Sequence, residues 1–280
     1  MQPYQYVRQL LYCCATLLFI SSCQSKSNQS GNKENTAPKK LSKAEALIHE
    51  TVSAVGGANA LKELKDVEFQ YTYTSFDGFA DVSTERYLFD GEYSRGEYTT
   101  HKNAVMTTVD GVVTQGYDGN TSWVTVGNAF FEDETANKMS AFLRKTNLYW
   151  FCMNFKLLDP GVEHSYEGTR RANDIDYELV RISFEEGIGT SEDEFLLYLN
   201  PHTKLIDQFL FTVKALGIES PLMMRVKYEE VSGVKLTTYR EYAPANWQGE
   251  LTSDEGWTTQ VSSNIQFNNG FTPDDFRSLK

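Results

Sequence analysis

Four histidines, His49, His101, His164 and His202, and four cysteines, Cys13, Cys14, Cys23 and Cys152, are the residues best suited to metal or nucleophilic chemistry. The histidines fall in different predicted elements, and no H-E-x-x-H or His/Cys spacing makes a zinc set. Neither a G-x-S-x-G elbow nor a phosphate loop occurs. Cys152 sits among Phe151, Met153 and Phe155, and apolar surroundings raise a thiol pKa and leave it inert. The carboxylates of Glu185, Glu186, Asp193 and Glu194 surround a predicted loop, where a charge run is ordinarily just solvated. No catalytic residue, metal site or cofactor is expected, and the chain does not read as an enzyme.

Cys23 is different because of what precedes it. Arg8 gives a small positive region, and Leu10 to Ile20 is an uncharged apolar run, too short for a bilayer span of about 20 residues. That is the form of a secretory signal. The run closes Ile20-Ser21-Ser22-Cys23, which resembles the lipobox of bacterial lipoproteins. The resemblance implies cleavage after residue 22, a thioether-linked lipid on Cys23 and acylation of the new amine, including palmitate. Two or more acyl chains, at about 0.8 kcal/mol per buried CH2, make a lasting anchor. Gln24 follows where an Asp is associated with retention at the inner membrane, so the expected location is the outer membrane, facing the periplasm.

The full chain carries 26 Lys and Arg against 38 Asp and Glu. Loss of Arg8 with the signal takes the net charge from −12 to −13, a surface that repels nucleic acid and anionic headgroups. Cys13 and Cys14 leave with the signal and Cys23 is lipidated, so Cys152 has no partner for an intramolecular disulfide. The domain must hold itself together by core burial. Residues 23–41, rich in Ser, Asn, Gln and Lys, read as the lipidated Cys and a flexible tether, leaving 42–280 as one domain.

Within that domain, Ser42 to Glu45 has the capping-box form, and Ala44, Leu47, Ile48, Val52 and Val55 make a helical stripe that ends at Gly56-Gly57. A short helical turn is expected over Asn59 to Leu64. The period then becomes 2: Val67, Phe69, Tyr71 and Tyr73 alternate with polar residues. Asp-Gly pairs at 77, 90, 110 and 118 punctuate an antiparallel meander of about six strands over 67–126. A helix is expected from Glu132 to Thr146, with Arg144 and Lys145 at its basic end and Met139, Phe142 and Leu143 as its stripe. A dense apolar patch follows at 148–158, with Tyr149, Trp150, Phe151 and Phe155. Seven more strands are expected near 162–169, 175–185, 193–200, 204–213, 221–230, 233–242 and 257–267, with a loop from Tyr242 to Gly256. The connections are too short for parallel crossovers, which leaves a closed barrel, a sandwich or one curved sheet carrying helices.

Over roughly 42–276 the chain resembles the LolA-like superfamily. The resemblance lies in the opening helix running into Gly56-Gly57 and Ala60-Leu61-Lys62-Glu63-Leu64. It lies also in the Tyr117-Asp118-Gly119-Asn120-Thr121-Ser122-Trp123 hairpin, and in Phe195-Leu196-Leu197-Tyr198-Leu199-Asn200 with Thr203 in the turn. It implies a mainly β fold: a single curved antiparallel sheet forming a half-open barrel, with helices over its concave face and an apolar cavity for acyl chains. On that basis Met139, Phe142, Leu143, Tyr149, Trp150, Phe151 and Phe155 are candidates for a ligand cavity or its lid. The implied function is binding of a lipid or of lipoprotein acyl chains, in lipid or lipoprotein transport. Lipidation at Cys23 departs from the soluble carrier and suits a membrane-fixed acceptor. The alternative is a non-catalytic envelope protein that binds a protein or glycan through its β-surface.

Overall fold

The computed structural model describes residues 40–127, 129–185 and 193–278. The expected signal segment, Cys23 and the tether up to residue 39 lie outside the described residues, as does Glu186. Lys43–Lys280 form one compact unit, divided from Met1–Ser42.

Helix α1 (Lys43–Val55) buries Ala44, Ile48, Val52 and Val55, which is the apolar stripe read from the sequence. A single turn, α2 (Ala60–Glu63), buries Leu61. Six strands follow: β1 (Asp66–Thr74), β2 (Ala80–Leu88), β3 (Tyr93–His101), β4 (Val113–Tyr117), β5 (Ser122–Val126) and β6 (Ala129–Phe130). Helix α3 (Glu134–Lys156) comes next, then β7 (Val162–Ala172), β8 (Ile175–Phe184), β9 (Phe195–Leu199), β10 (Ile206–Val213), β11 (Ile218–Val231), β12 (Val234–Pro244) and β13 (Thr258–Phe267).

The strands make one antiparallel sheet in the order β6-β5-β4-β3-β2-β1-β13-β12-β11-β10-β9-β8-β7. Two meanders are thus joined side by side, where the first strand pairs with the last: Tyr71 opposes Ser262 and Tyr73 opposes Gln260. The outer strands β6 and β7 do not pair, so the sheet is open, as a half-open barrel requires. The chain leaves the sheet at one edge and re-enters at the other, and α3, about 35 Å long at 1.5 Å per residue, makes that crossing.

Helix α3 corrects the expected boundaries. It does not stop at Thr146; the apolar patch at 148–158 is its second half. Arg144 is therefore mid-helix and fully buried, not a charge at the basic end. Asp133 is the N-cap and accepts from the Ala136 amide at 2.7 Å. Five consecutive residues, Phe151 to Phe155, are buried. The four steps of 100° between them pass more than once around a helix, so this stretch of α3 is enclosed on every side. Met153 and Leu157 pack with α1 against β8 to β11, while Phe151, Cys152 and Phe155 pack against β1, β2 and β12. The curved sheet supplies both walls.

The opposite face is also covered in part. Tyr177, Leu179, Leu196, Tyr198, Leu210 and Met223 form a second apolar layer under Trp247 and Trp257 of the loop before β13. Strand β9 is therefore buried along its whole length, which explains its unbroken Phe-Leu-Leu-Tyr-Leu run.

Candidate functional site

The lid candidates occupy three environments on α3. Leu143, with Val126 and Phe131, packs on a small cluster of Tyr98, Val105, Val113 and Val124 from β3 to β5 and their connections. Met139 and Phe142 are half-buried. Phe151 and Phe155 are core, and the Phe151 ring stacks on Phe69 (5.0 Å between centroids) and Phe89 (6.2 Å). Tyr149 and Trp150 form the third group. They are half-buried, and Trp150 stacks on Phe209 (5.8 Å) and meets Phe195 (6.1 Å) and Phe211 (5.2 Å) edge-on. Half-buried Leu158, Val162, Phe184, Val213, Leu222 and Tyr242 flank this aromatic group. The rings are in mutual contact, so the expected apolar cavity is filled by side chains here. Two surface recesses lie elsewhere: one beside α1 at His49, Glu50, Ser53 and Lys204, and one on the opposite face, about 180 Å³, lined by Tyr177, Asp207, Arg225, Tyr239 and Glu241.

Beside the apolar half lies a polar one that sequence reasoning missed. Strand β2 turns Asp81, Ser83, Glu85 and Tyr87 inward and leaves Val82 and Leu88 half-exposed. Arg144 donates through Nη1 to Glu85 Oε2 at 2.5 Å and through Nη2 to the Tyr98 hydroxyl. Both charged side chains are fully buried. Ser83 Oγ (2.8 Å) and Tyr87 OH (3.1 Å) also donate to the Glu85 carboxylate. Burial by itself would lower the Arg144 pKa, but the Glu85 charge, helped by Tyr98 and Tyr87, holds it above its ordinary value. Gly96, opposite Glu85 on β3, makes the room, because a Cβ there would collide with the guanidinium. The first half of α3 is thereby pinned to the sheet by a buried ion pair; the second half packs mainly through apolar side chains, with the Trp150 carbonyl accepting from Arg240 Nη2 of β12 at 2.7 Å.

Several other titratable groups have structural partners. Asp81 accepts from the amides of Asn103, Ala104 and Val105 at 2.8, 2.8 and 3.2 Å. Asp66 fixes the C-terminal segment through the amides of Asn269, Gly270 and Phe271. His101 lies between the carbonyls of Met106 and Gly111, and His164 meets the Leu157 carbonyl. Burial pushes the Cys152 thiol up to about 12. Among the described residues no group of His, Cys, Asp or Glu is placed to hold a metal, and no helix is long and apolar enough to cross a membrane.

An open antiparallel sheet wrapped around a crossing helix recurs in solved structures of low sequence identity. A LolA superfamily protein from Nitrosomonas europaea has a similar structure at 11% identity, with a TM-score of 0.51 over 85% of this chain and 99% of that one. So has a DUF1329 family protein from Desulfovibrio piger, at 14% identity and a TM-score of 0.53 over 85% of this chain and 98% of that one. A domain assigned to outer membrane lipoprotein sorting from Vibrio parahaemolyticus matches at 10% identity and a TM-score of 0.50, over 82% of this chain and 94% of that one. The chain itself belongs to the DUF6503 family, a family of unknown function, whose model matches residues 8–220. No curated protein matches it in sequence.

Proposed function

We propose that the chain is an envelope protein, anchored by a lipid on Cys23, that binds a hydrophobic ligand between the second half of α3 and the sheet. The observation that carries this is the aromatic group in which half-buried Tyr149 and Trp150 lie over buried Phe195, Phe209 and Phe211, the rings meeting through apolar contact. Apolar contacts are non-directional, so an acyl chain can replace the contacts that Trp150 gives up with little change in buried area. The ion pair at Arg144 cannot be exchanged in that way, and it keeps the first half of the helix in place as the second half shifts. The fold shared with a LolA superfamily protein and with a lipoprotein-sorting domain supports the same ligand class. The Ile-Ser-Ser-Cys end of the leading apolar run supports the anchor, and Gln24 supports the outer membrane.

The test compares binding with folding. Trp150→Gln should weaken uptake of a fluorescent fatty acid about tenfold and leave most of the stability to urea intact. Loss of binding only in step with loss of stability would make Trp150 ordinary core.

A second reading has its own observation. The 180 Å³ recess on the opposite face brings Tyr177, Tyr239, Asp207 and Glu241 together, groups that suit a sugar. Saturable glycan binding that Glu241→Gln abolishes, with no uptake of fatty acid, would favour it.

A further inference from the structure

Five carboxylate or guanidinium side chains are buried among the described residues: Asp66, Asp81, Glu85, Arg144 and Arg240. Four of them are accounted for. Glu85 and Arg144 neutralise each other, and Asp66 and Asp81 are each surrounded by backbone amides. Arg240 is the remainder. It sits on β12, 4% exposed, and its Nη2 donates to the Trp150 carbonyl and to Thr237 Oγ1, both at 2.7 Å. Those partners are neutral, and no carboxylate among the described residues lies within ion-pair distance. Burying a cation with no counter-ion is strongly unfavourable in a folded protein. Burial also depresses its pKa.

The neighbours of Arg240 are incomplete as well. Gln260 faces it across the β12–β13 ladder, is 8% exposed, and its Oε1 has no hydrogen-bond partner. Tyr73 faces Gln260 from β1, and its hydroxyl meets that of Tyr242, two residues along β12 from Arg240. Tyr73, Tyr242 and Trp150 are the half-buried residues around this point, and Tyr242 and Trp150 both pack on Phe211. A buried guanidinium and an unused amide oxygen therefore lie at the inner end of the apolar group to which the hydrophobic ligand is assigned above.

Building on that ligand, we propose that its head is anionic: the site takes a single-chain amphiphile whose carboxylate or phosphate pairs with Arg240 while its chain lies against Trp150, Phe209 and Phe211. A hydroxyl on the head group would donate to Gln260 Oε1. The ligand brings the counter-ion that the chain does not supply, and the cost of leaving Arg240 unpaired is recovered only when an acidic lipid is bound.

The experiment is native mass spectrometry of the full chain in a neutral polyoxyethylene detergent. The chain is titrated separately with palmitate, 1-palmitoyl lysophosphatidate and uncharged monopalmitin. One or both acids should bind about tenfold more tightly than monopalmitin, and which of them does so distinguishes a carboxylate from a phosphate ligand. Arg240→Gln should remove the preference, and Arg240→Lys, which keeps the charge, should retain its order. Near-ultraviolet circular dichroism checks that the variants fold, and the wild-type comparison decides the point even if Arg240→Gln does not. Equal binding of acid and neutral lipid, or a preference that survives in folded Arg240→Gln, would overturn the anionic head and leave the hydrophobic ligand standing. Absence of binding by all three would overturn both.

Discussion

Trp150 and Phe151 are neighbours in the chain yet pack against opposite halves of the sheet. Trp150 stacks on Phe209 of β10, and Phe151 stacks on Phe69 of β1. One step of a helix turns a side chain through 100°, so the two walls can be reached from adjacent positions only where the sheet curves around α3. The two residues should differ in energetic role. Phe151→Ala removes a ring enclosed by Phe69, Tyr87, Phe89 and Phe267 and should cost about 3–5 kcal/mol in urea denaturation. Trp150→Gln should cost less than half as much, because its ring is half-exposed.

The Arg144–Glu85 pair makes a sharper prediction. Glu85→Gln alone, or Arg144→Met alone, leaves a charge or a set of donors buried without a partner and should cost about 3–5 kcal/mol. The double change Glu85→Leu with Arg144→Met should recover most of that loss, since buried pairs are often replaceable by apolar residues of similar volume. Gly96→Ala, which pushes a methyl group into the guanidinium, should behave like a mild version of the single changes. Denaturant midpoints of the four variants check the set; additive losses in the double variant would mean that the two side chains do not act as a pair.

Much of this architecture is legible in the sequence. The α1 stripe, the alternation in β1 and the Asp-Gly punctuation all read correctly, because each has one wet and one dry face. Two features do not. The second half of α3 shows no helical stripe, since a helix enclosed on all sides has no reason to keep a polar one. Strand β2 hides the polar set Asp81, Ser83 and Glu85 and half-exposes Val82, the reverse of the usual pattern, so nothing in its alternation marks Glu85 as a buried charge. Arg144 reads as a helix-end cation for the same reason: its partner is 59 residues away on another element. Gly96 within an otherwise β-rich run was the available signal, since a glycine inside a strand marks a close approach. Met139, Phe142 and Leu143 read as a helical stripe, whereas the patch with Tyr149, Trp150, Phe151 and Phe155 reads as following the helix and in fact lies within it. The division of these residues between core and rim depends on curvature that the sequence does not encode locally.

Cys152 gives a pH dependence with a defined sign. Its thiol has an ordinary value of 9.0 and is raised by burial to about 12 in the folded chain. The unfolded chain therefore loses this proton first as pH rises. The stabilisation is fully present below pH 9 and is lost between about 9 and 12. By pH 10 the wild type should lose about 1.4 kcal/mol more, relative to its own stability at pH 8, than Cys152→Ala does. Equal losses in the two proteins would show that the thiol titrates alike in both states.

Cys23→Ala should abolish the proposed lipid anchor. With the leading segment removed by another route, the variant should appear in the soluble fraction after cell lysis, whereas the native chain sediments with membranes. The acidic surface, net −13 for the cleaved chain, offers no polybasic patch to hold it on anionic lipid. Sedimentation of the variant with membranes would reveal a second attachment and refute the single-anchor account.

The central claim is that a ligand enters beside the second half of α3 while the first half stays pinned. Amide hydrogen exchange of the full chain, with and without a saturating long-chain fatty acid, reads this directly. Exchange should change in the peptide covering 147–157 and in β10, and should be unaltered over 134–145, where Arg144 holds the helix to Glu85. A helix whose exchange is the same at every position with and without ligand, or one that changes equally along its whole length, would contradict the account.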